Sequence, residues 1–390
     1  MPDYLSEAQE LFEYTRFLRR DFHRHPELGF QEVRTAGVVA RELNAMGYEV
    51  TTGIAKTGVA ALLEGERPGP TALVRFDMDA LPIQEETGAE YASETAGVMH
   101  ACGHDAHTAI GLTLARLLQN YRSELCGTVK LVFQPAEEGL GGAESMVAEG
   151  ILENPRPDLS LSMHVWNERP VGWIGVANGP VMAAAEIFKV RIKGKGGHGA
   201  VPHSTIDPIL ASAQVISALQ SIVSRNVAPL QTAVVSVTTV HGGEAFNVIP
   251  PAVELSGTIR TFEPEVRQMV LDRFTQVVNG IASAMGCDAE IELTPLTPAV
   301  INNNNIAGKV RDLAADMFPG DTIESNFRTM GSEDMAFMMQ DIPGCYVFIG
   351  SANEQKGLNA FHHHPRFDID EEILPKAVAL MAASVFKLLS

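Results

Sequence analysis

HDAHTAIGLTLARLLQN (104–120) lies between two short apolar runs, TALVRFDMD (71–79) and GTVKLVFQ (127–134), and this alternation decides the fold. In the middle segment Ala106, Ile110, Leu114 and Leu117 recur at steps of three and four, the repeat of a helix. The flanking runs read as buried strands, and DLSLSMHV (158–165) reads as another. Strands alternating with helices imply a largely parallel sheet covered on both faces. Towards the N-terminus, Ser6 to His25 reads as an amphipathic helix carrying Leu11, Tyr14, Leu18 and Phe22 on one face, stopped by Pro26. A second helix, Arg34 to Met46, ends at Gly47.

The pattern changes near Ala184. EIFKVRI is a strand, followed by a glycine-rich turn and a helix from Asp207 to about Ser224. Two long strands follow, AVVSVTTVHG (233–242) and AVELSGTIRT (252–261), then a helix (264–284) and a last strand, AEIELT (289–294). That β-α-β-β-α-β order is the split ferredoxin-like unit. After Pro298 and the polar run Asn302–Asn305 the strand–helix style resumes, through CYVFIG (345–350) to a closing helix from about Ile373. The expectation is an α/β domain, 1–184 and 298–390, interrupted by an α+β insertion, 185–297.

Composition narrows the function. At 390 residues two domains are expected. With 45% hydrophobic and 20% charged residues the chain is globular in type. Lys and Arg number 29 against 48 Asp and Glu, a formal charge of −19, which disfavours nucleic acid and anionic membranes as partners. No apolar run reaches the ~18 residues of a transmembrane helix. MPDYLSEAQE has neither a basic nor an apolar signal region, and the four scattered cysteines form no CxxC, so a reducing cytoplasm is expected.

The 12 histidines are not spread evenly, and seven fall in three places: three in HACGHDAH (100–107), one at His164 and three in FHHHPRFD (362–364), each at or just beyond the end of an expected strand. Ligand sites in open α/β sheets form there. A single histidine would more often be a capping or core residue. Cys102, His104, His164 and the 362–364 run, taken with Glu137 and Glu138 of QPAEEG, make a ligand set suited to zinc, manganese, cobalt or nickel. Adjacent carboxylates cannot occupy one ligand position, so one can bind metal while the other takes a proton from activated water. The ordinary alternative is that the acidic pair merely opens a solvated loop.

Two other motifs compete. GKGGHG (194–199) has the spacing of a dinucleotide loop, but Pro202 and Pro208 interrupt the required helix and no acidic residue ends a strand ~20 positions later. Cys102 with His104 or His107 could form a thiol hydrolase, a reading that leaves Glu137, Glu138 and His164 unused. There is no HExxH and no GxSxG.

RHPELGFQE (24–32), RFDMDALPIQE (75–85), HACGHDAH, QPAEEG, GGHGAVPHSTIDP (196–208), FNVIP (246–250), GTIRTF (257–262), GSEDMA (331–336) and HHHPRFDID (362–370) run in order over nearly the whole chain. This set closely resembles the metal-dependent N-acyl-amino-acid amidohydrolases, which include aminoacylases, hippurate hydrolases, indole-acetyl-amino-acid hydrolases and N-acetyldiaminopimelate deacetylases. The resemblance implies an α/β dinuclear-metal peptidase-like catalytic domain with a mixed, mainly parallel sheet, and makes the ferredoxin-like insertion a lid and dimerisation domain. It implies two divalent ions (Mn, Zn, Co or Ni) on Cys102, His104, Glu138, His164 and His363, the last chosen because the motif there resembles His-x-Pro. Glu137 becomes the general base, and Asp77 and Asp105 would orient ligands. His198 would reach into a neighbouring subunit to stabilise an oxyanion, with Asn247 and Arg260 binding substrate. Met335 stands where the family often has Phe.

The expected reaction is hydrolysis of an N-acyl-L-amino acid to a carboxylic acid and an amino acid, by water bridging the metals and activated by Glu137. The expected assembly is a homodimer through the lid, or a higher oligomer. A dipeptidase, carboxypeptidase or N-acetyldiaminopimelate deacetylase on the same site is the nearest rival, and an inactive acyl-amino-acid binding protein is the rival outside enzymes.

Overall fold

The computed structural model describes residues 3–390. The chain divides into two compact units. One runs to Val181 and takes in Val300–Arg328 and Asp334–Ser390; the other is Met182–Ala299 with Thr329–Glu333. Both limits of the second unit lie outside 185–297, and no boundary read from the sequence assigns it the 329–333 segment.

The first unit is built on an eight-stranded sheet in the order Glu49–Ile54, Gly58–Glu64, Cys126–Gln134, Arg67–Asp77, Leu159–Pro170, Gly344–Ala352, Trp173–Gly175, Thr322–Glu324. Its four central strands are mutually parallel. Antiparallel pairs appear only towards its edges. The sheet is therefore mixed and mainly parallel. Residues 71–77, 129–134 and 159–167 and the whole of Gly344–Ala352 are buried, as strands covered on both faces must be. Helices His104–Asn120 and Leu374–Leu389 are buried nearly all round and pack together in the core.

Among the elements that depart from the sequence reading, three bear on how the chain is built. The opening helix breaks at Leu11 into Tyr4–Glu10 and Phe12–Arg24. The hairpin Glu49–Ile54/Gly58–Glu64 went unread, since its outer strand is largely exposed and carries no apolar run. The asparagine run starts a helix, Asn304–Met317: the Asn303 side chain accepts hydrogen bonds from the Asn305 and Ile306 N–H groups, the ordinary cap of a helix start.

The second unit is a four-stranded antiparallel sheet in the order Ala233–His241, Ala252–Thr261, Ala184–Lys193, Asp288–Thr297. Helices Pro208–Ser221 and Pro264–Ala284 pack on one face, bringing Val215 and Phe274 into a core with Phe188, Val190 and Ile192 of the sheet. Alternate residues of Ala184–Lys193 point away from that core, so Lys189 and Arg191 are exposed. The π-turn Ile222–Asn226 ends the first of these helices. No helix among the described residues is long and apolar enough to cross a membrane.

Candidate metal centre

The candidate site gathers at the carboxyl ends of the central parallel strands. Asp77 pairs with Gln134 in the last register of its strand pair, and His164 lies opposite Phe348 on the next pair. The loop after Asp77 and the turn after Gln134 therefore leave the same edge of the sheet. Helix His104–Asn120 begins there too. Gly103 precedes it at φ 90°, and a Cβ at that position would stand 2.4 Å from Val165 Cγ2.

Six of the residues singled out in the sequence meet at this edge. Cys102 Sγ lies 3.5 Å from His164 Nε2. His104 Nδ1 donates to the Asp79 carbonyl at 2.9 Å, which leaves His104 Nε2 buried with no hydrogen-bond partner. His363 Nε2 is 3.3 Å from Glu138 Oε1. Ligand-capable atoms lie within 4.8 Å of one another in each of three groups: Cys102, His104 and His164; Cys102, Glu138 and His363; His104, Glu137 and Glu138.

The turn carrying Glu137 and Glu138 is held by three buried carboxylates. Glu32 Oε1 accepts from the Ala136 N–H at 2.9 Å, Asp79 Oδ2 from the Glu138 N–H at 3.0 Å, and Asp334 Oδ2 from the Ala143 N–H at 2.9 Å. These bonds hold Ala136 at φ 56°, a left-handed conformation that a residue with a Cβ adopts only under constraint. Gly142 is equally forced, since a Cβ there would sit 1.7 Å from the Pro135 carbonyl oxygen. Beneath the turn, Arg75 is fully buried and donates to Gln134, Asp77 and Asp334.

The electrostatics favour a cation. Burial works against a charged His104, yet Asp77, Asp79 and Glu138 hold its pKa up to about 10. Asp77 is buried as well, but His104, His107 and Arg75 keep its carboxyl well below the usual range. Burial, then Glu138, Glu137 and Asp77, push the Cys102 thiol well above its ordinary value. A nucleophilic cysteine needs the opposite shift, so the thiol-hydrolase reading loses its ground. A bound divalent ion reverses that logic, deprotonating a coordinating thiol. The orphaned His104 Nε2, the negative surroundings and the Cys/His/Glu donor set all fit such an ion.

Asp77, at the end of its strand, and Asp105, in the first turn of helix His104–Asn120, face different partners. Asp77 Oδ1 accepts from His107 Nδ1 at 2.6 Å and stands 3.8 Å from His104 Nε2. Asp105 instead accepts from Arg19 Nε at 2.8 Å and His23 Nδ1 at 2.7 Å. Successive helical residues point about 100° apart, so Asp105 turns away from the face that His104 shares with His107. Sequence reasoning passed over Glu32, Asp79 and Asp334, weighed His107 only as a base for Cys102, and took His362 only as part of the 362–364 run. All five lie in motifs it quoted, but nothing in their spacing says which way each side chain turns.

The remaining residues belong to the second unit. Gly197–His198 forms a short antiparallel ladder with Val248–Ile249, His198 opposite Val248, and the Gly199 N–H donates to the Asn247 carbonyl at 2.8 Å. His198 and Asn247 are thus neighbours, both exposed. The Ala200 N–H donates to His198 Nδ1 at 3.0 Å, which places the imidazole proton on Nε2. Arg260 is half-buried on strand Ala252–Thr261 and donates to Thr258 Oγ1 at 2.6 Å. Burial lowers its pKa, against the pull of Glu186, which is itself ion-paired with Arg267.

The chain is similar to known proteins over nearly its whole length. Residues 73–387 match peptidase family M20/M25/M40. The chain is 44% identical to the N-acetylcysteine deacetylase of Bacillus subtilis, over 92% of this chain and 93% of that one. It is 40% identical to the IAA-amino acid hydrolase ILR1-like 4 of Arabidopsis thaliana, over 97% and 86%. Among solved structures, the Bacillus subtilis YXEP protein, a dinuclear metal binding peptidase of the M20 family, superposes with a TM-score of 0.86 at 39% identity, covering 98% of this chain and 99% of that one.

Proposed function

The chain belongs to peptidase family M20/M25/M40 and is a metal-dependent hydrolase of amide bonds, and from that premise we propose that it cleaves N-acyl-L-amino acids to a carboxylic acid and a free amino acid. The observation that carries the reading is the adjacent pair Glu137 and Glu138, both within 4.8 Å of His104, on a turn pinned by three carboxylates. Cys102, His104, Glu138, His164 and His363 would hold two divalent ions. When bound, these lower the pKa of water towards ~7 and polarise the scissile carbonyl. Glu137 takes the water's proton and returns it to the leaving nitrogen, the double task of a general base that becomes a general acid.

In the same reading the unit 182–299 is a lid through which two copies of the chain pair. His198, with its proton on Nε2, donates to the oxyanion that develops in the other copy's site. Asn247 binds the substrate beside it. Arg260 offers a planar, permanently charged fork to the carboxylate of the amino-acid part. Four unpaired cysteines support a cytoplasmic location.

The test is a substrate screen on protein reconstituted separately with Mn, Zn, Co and Ni. Acetyl-, benzoyl- and indole-acetyl-amino acids should release amine, and chelation should stop it. The matching N-acyl amino amides should be poor substrates, and Arg260→Ala should narrow the difference. Equal rates on acid and amide in the native enzyme exclude the carboxylate clamp. Faster cleavage of dipeptides with a free amine moves the assignment to a peptidase.

A further inference from the structure

Three imidazoles grip a single residue, Val165. His164 Nδ1 donates to the Val165 carbonyl at 2.6 Å, His362 Nε2 donates to the same oxygen at 3.0 Å, and the Val165 N–H donates to His107 Nε2 at 3.0 Å. His107 is fixed in turn by its Nδ1 bond to Asp77. The backbone at Val165 thereby joins strand Leu159–Pro170, helix His104–Asn120 and the loop that carries His363.

We infer that His362 is a positioning residue, whose Nε2–H bond to the Val165 carbonyl sets the 361–365 loop against the strand bearing His164. Cys102 is common to the group containing His164 and the group containing His363, so the two histidines must be held in register across it. His363 itself sits at φ 65°, with its N–H bonded to the Ala101 carbonyl at 2.8 Å. A side-chain-bearing residue stays in that conformation only where its surroundings impose it. The His362 ring supplies part of that constraint. Its centroid lies 4.9 Å from Trp166 and 5.1 Å from Phe367, so its orientation is set by packing as well as by the hydrogen bond. Groups that orient metal-binding side chains typically change metal affinity by 10–100-fold when removed.

This inference rests on His164 and His363 being ligands, and the test separates the two claims. Metal-free native protein, His362→Phe, His362→Gln and His363→Ala are titrated with Zn²⁺ against a chromophoric chelator. Thermal melting of each metal-free protein checks the fold. Phenylalanine keeps the packing and removes the donor, whereas glutamine restores an N–H donor near the Nε2 position. His362→Phe should bind both ions about 10–100-fold more weakly, His362→Gln close to native, and His363→Ala should lose one ion. His362→Met repeats the first arm should the phenylalanine variant not fold.

Loss of one ion from His362→Phe while His363→Ala keeps both would make His362 the ligand and overturn the inference. Native affinity in His362→Phe overturns it too, as does equal weakening in the Phe and Gln variants. If His363→Ala keeps both ions while His362→Phe weakens and His362→Gln recovers, the donor role stands and only the assignment of His363 falls.

Discussion

Glu32 Oε1 accepts a hydrogen bond from the Ala136 N–H at 2.9 Å, linking the start of helix Val33–Ala45 to the turn that carries Glu137 and Glu138 across 104 residues of chain. Its other oxygen accepts from the Thr57 hydroxyl. The carboxyl is buried, and burial raises its pKa. One side chain therefore satisfies two donors and holds Ala136 left-handed at φ 56°.

Removing it should be felt in both stability and turnover. Glu32→Ala leaves the Ala136 N–H and the Thr57 hydroxyl without their acceptor, which costs about 1–3 kcal/mol per buried group left unsatisfied. We expect a lower unfolding midpoint in urea and a lower kcat. Glu32→Gln keeps an oxygen for Ala136 and should lose less of each. An alanine variant with native stability and native kcat would show that Gly142 and the other two carboxylates hold the turn unaided.

The role of that scaffold explains what the sequence could and could not show. The limits of His104–Asn120 and Pro264–Ala284 follow from apolar spacing, and Pro264 falls at the first helical position, where proline is tolerated. The motifs gather because each lies at a strand end, and strand ends converge in a parallel sheet. Glu32, Asp79 and Asp334 are different. Their function depends on side-chain direction across a folded sheet, which no local period encodes. Asp105 shows the converse, since one step along the helix from His104 turns it to Arg19 and His23.

His23 gives a pH dependence with a definite sign. Burial alone would lower its pKa, but Asp105 and Glu85 outweigh burial and hold it up to about 9, against an ordinary value near 6.5. Because the folded value is raised, the stabilisation from protonated His23 is complete below about pH 6.5 and lost as pH rises through about 9, a span on the order of 3 kcal/mol. Metal-free protein should therefore lose more stability between pH 7 and 9.5 than His23→Gln, which cannot titrate. Parallel stability–pH curves for the two proteins in urea melts would exclude a charged His23.

Glu137 and Glu138 should separate cleanly although they are adjacent. Glu137→Gln should keep its metal and lose activity by ~100–10,000-fold, the usual effect of removing a general base. Glu138→Gln should bind metal more weakly, because an amide oxygen is a poorer ligand for a divalent ion than a carboxylate. Elemental analysis alongside kcat distinguishes them. Metal loss confined to the Glu137 variant would exchange the two roles.

The proposed reach of His198 across subunits gives a complementation test. His198 is exposed between Gly197 and Gly199, in the short ladder that pairs it with Val248. The Ala200 N–H occupies Nδ1, so only Nε2 can donate to an oxyanion. The sheet of its own unit ends in strand Ala233–His241 on one side and Asp288–Thr297 on the other, and exposed edges of this kind are commonly covered by a second copy across a two-fold axis. If each site takes Glu137 from one chain and His198 from the other, neither His198→Ala nor Glu137→Ala alone should turn over appreciably. Mixed and allowed to exchange subunits, about half the dimers would be hybrids, each with one complete and one doubly defective site, restoring about a quarter of the native rate. No recovery, with hybrid dimers confirmed by native mass spectrometry, would mean that His198 serves its own chain's site or none.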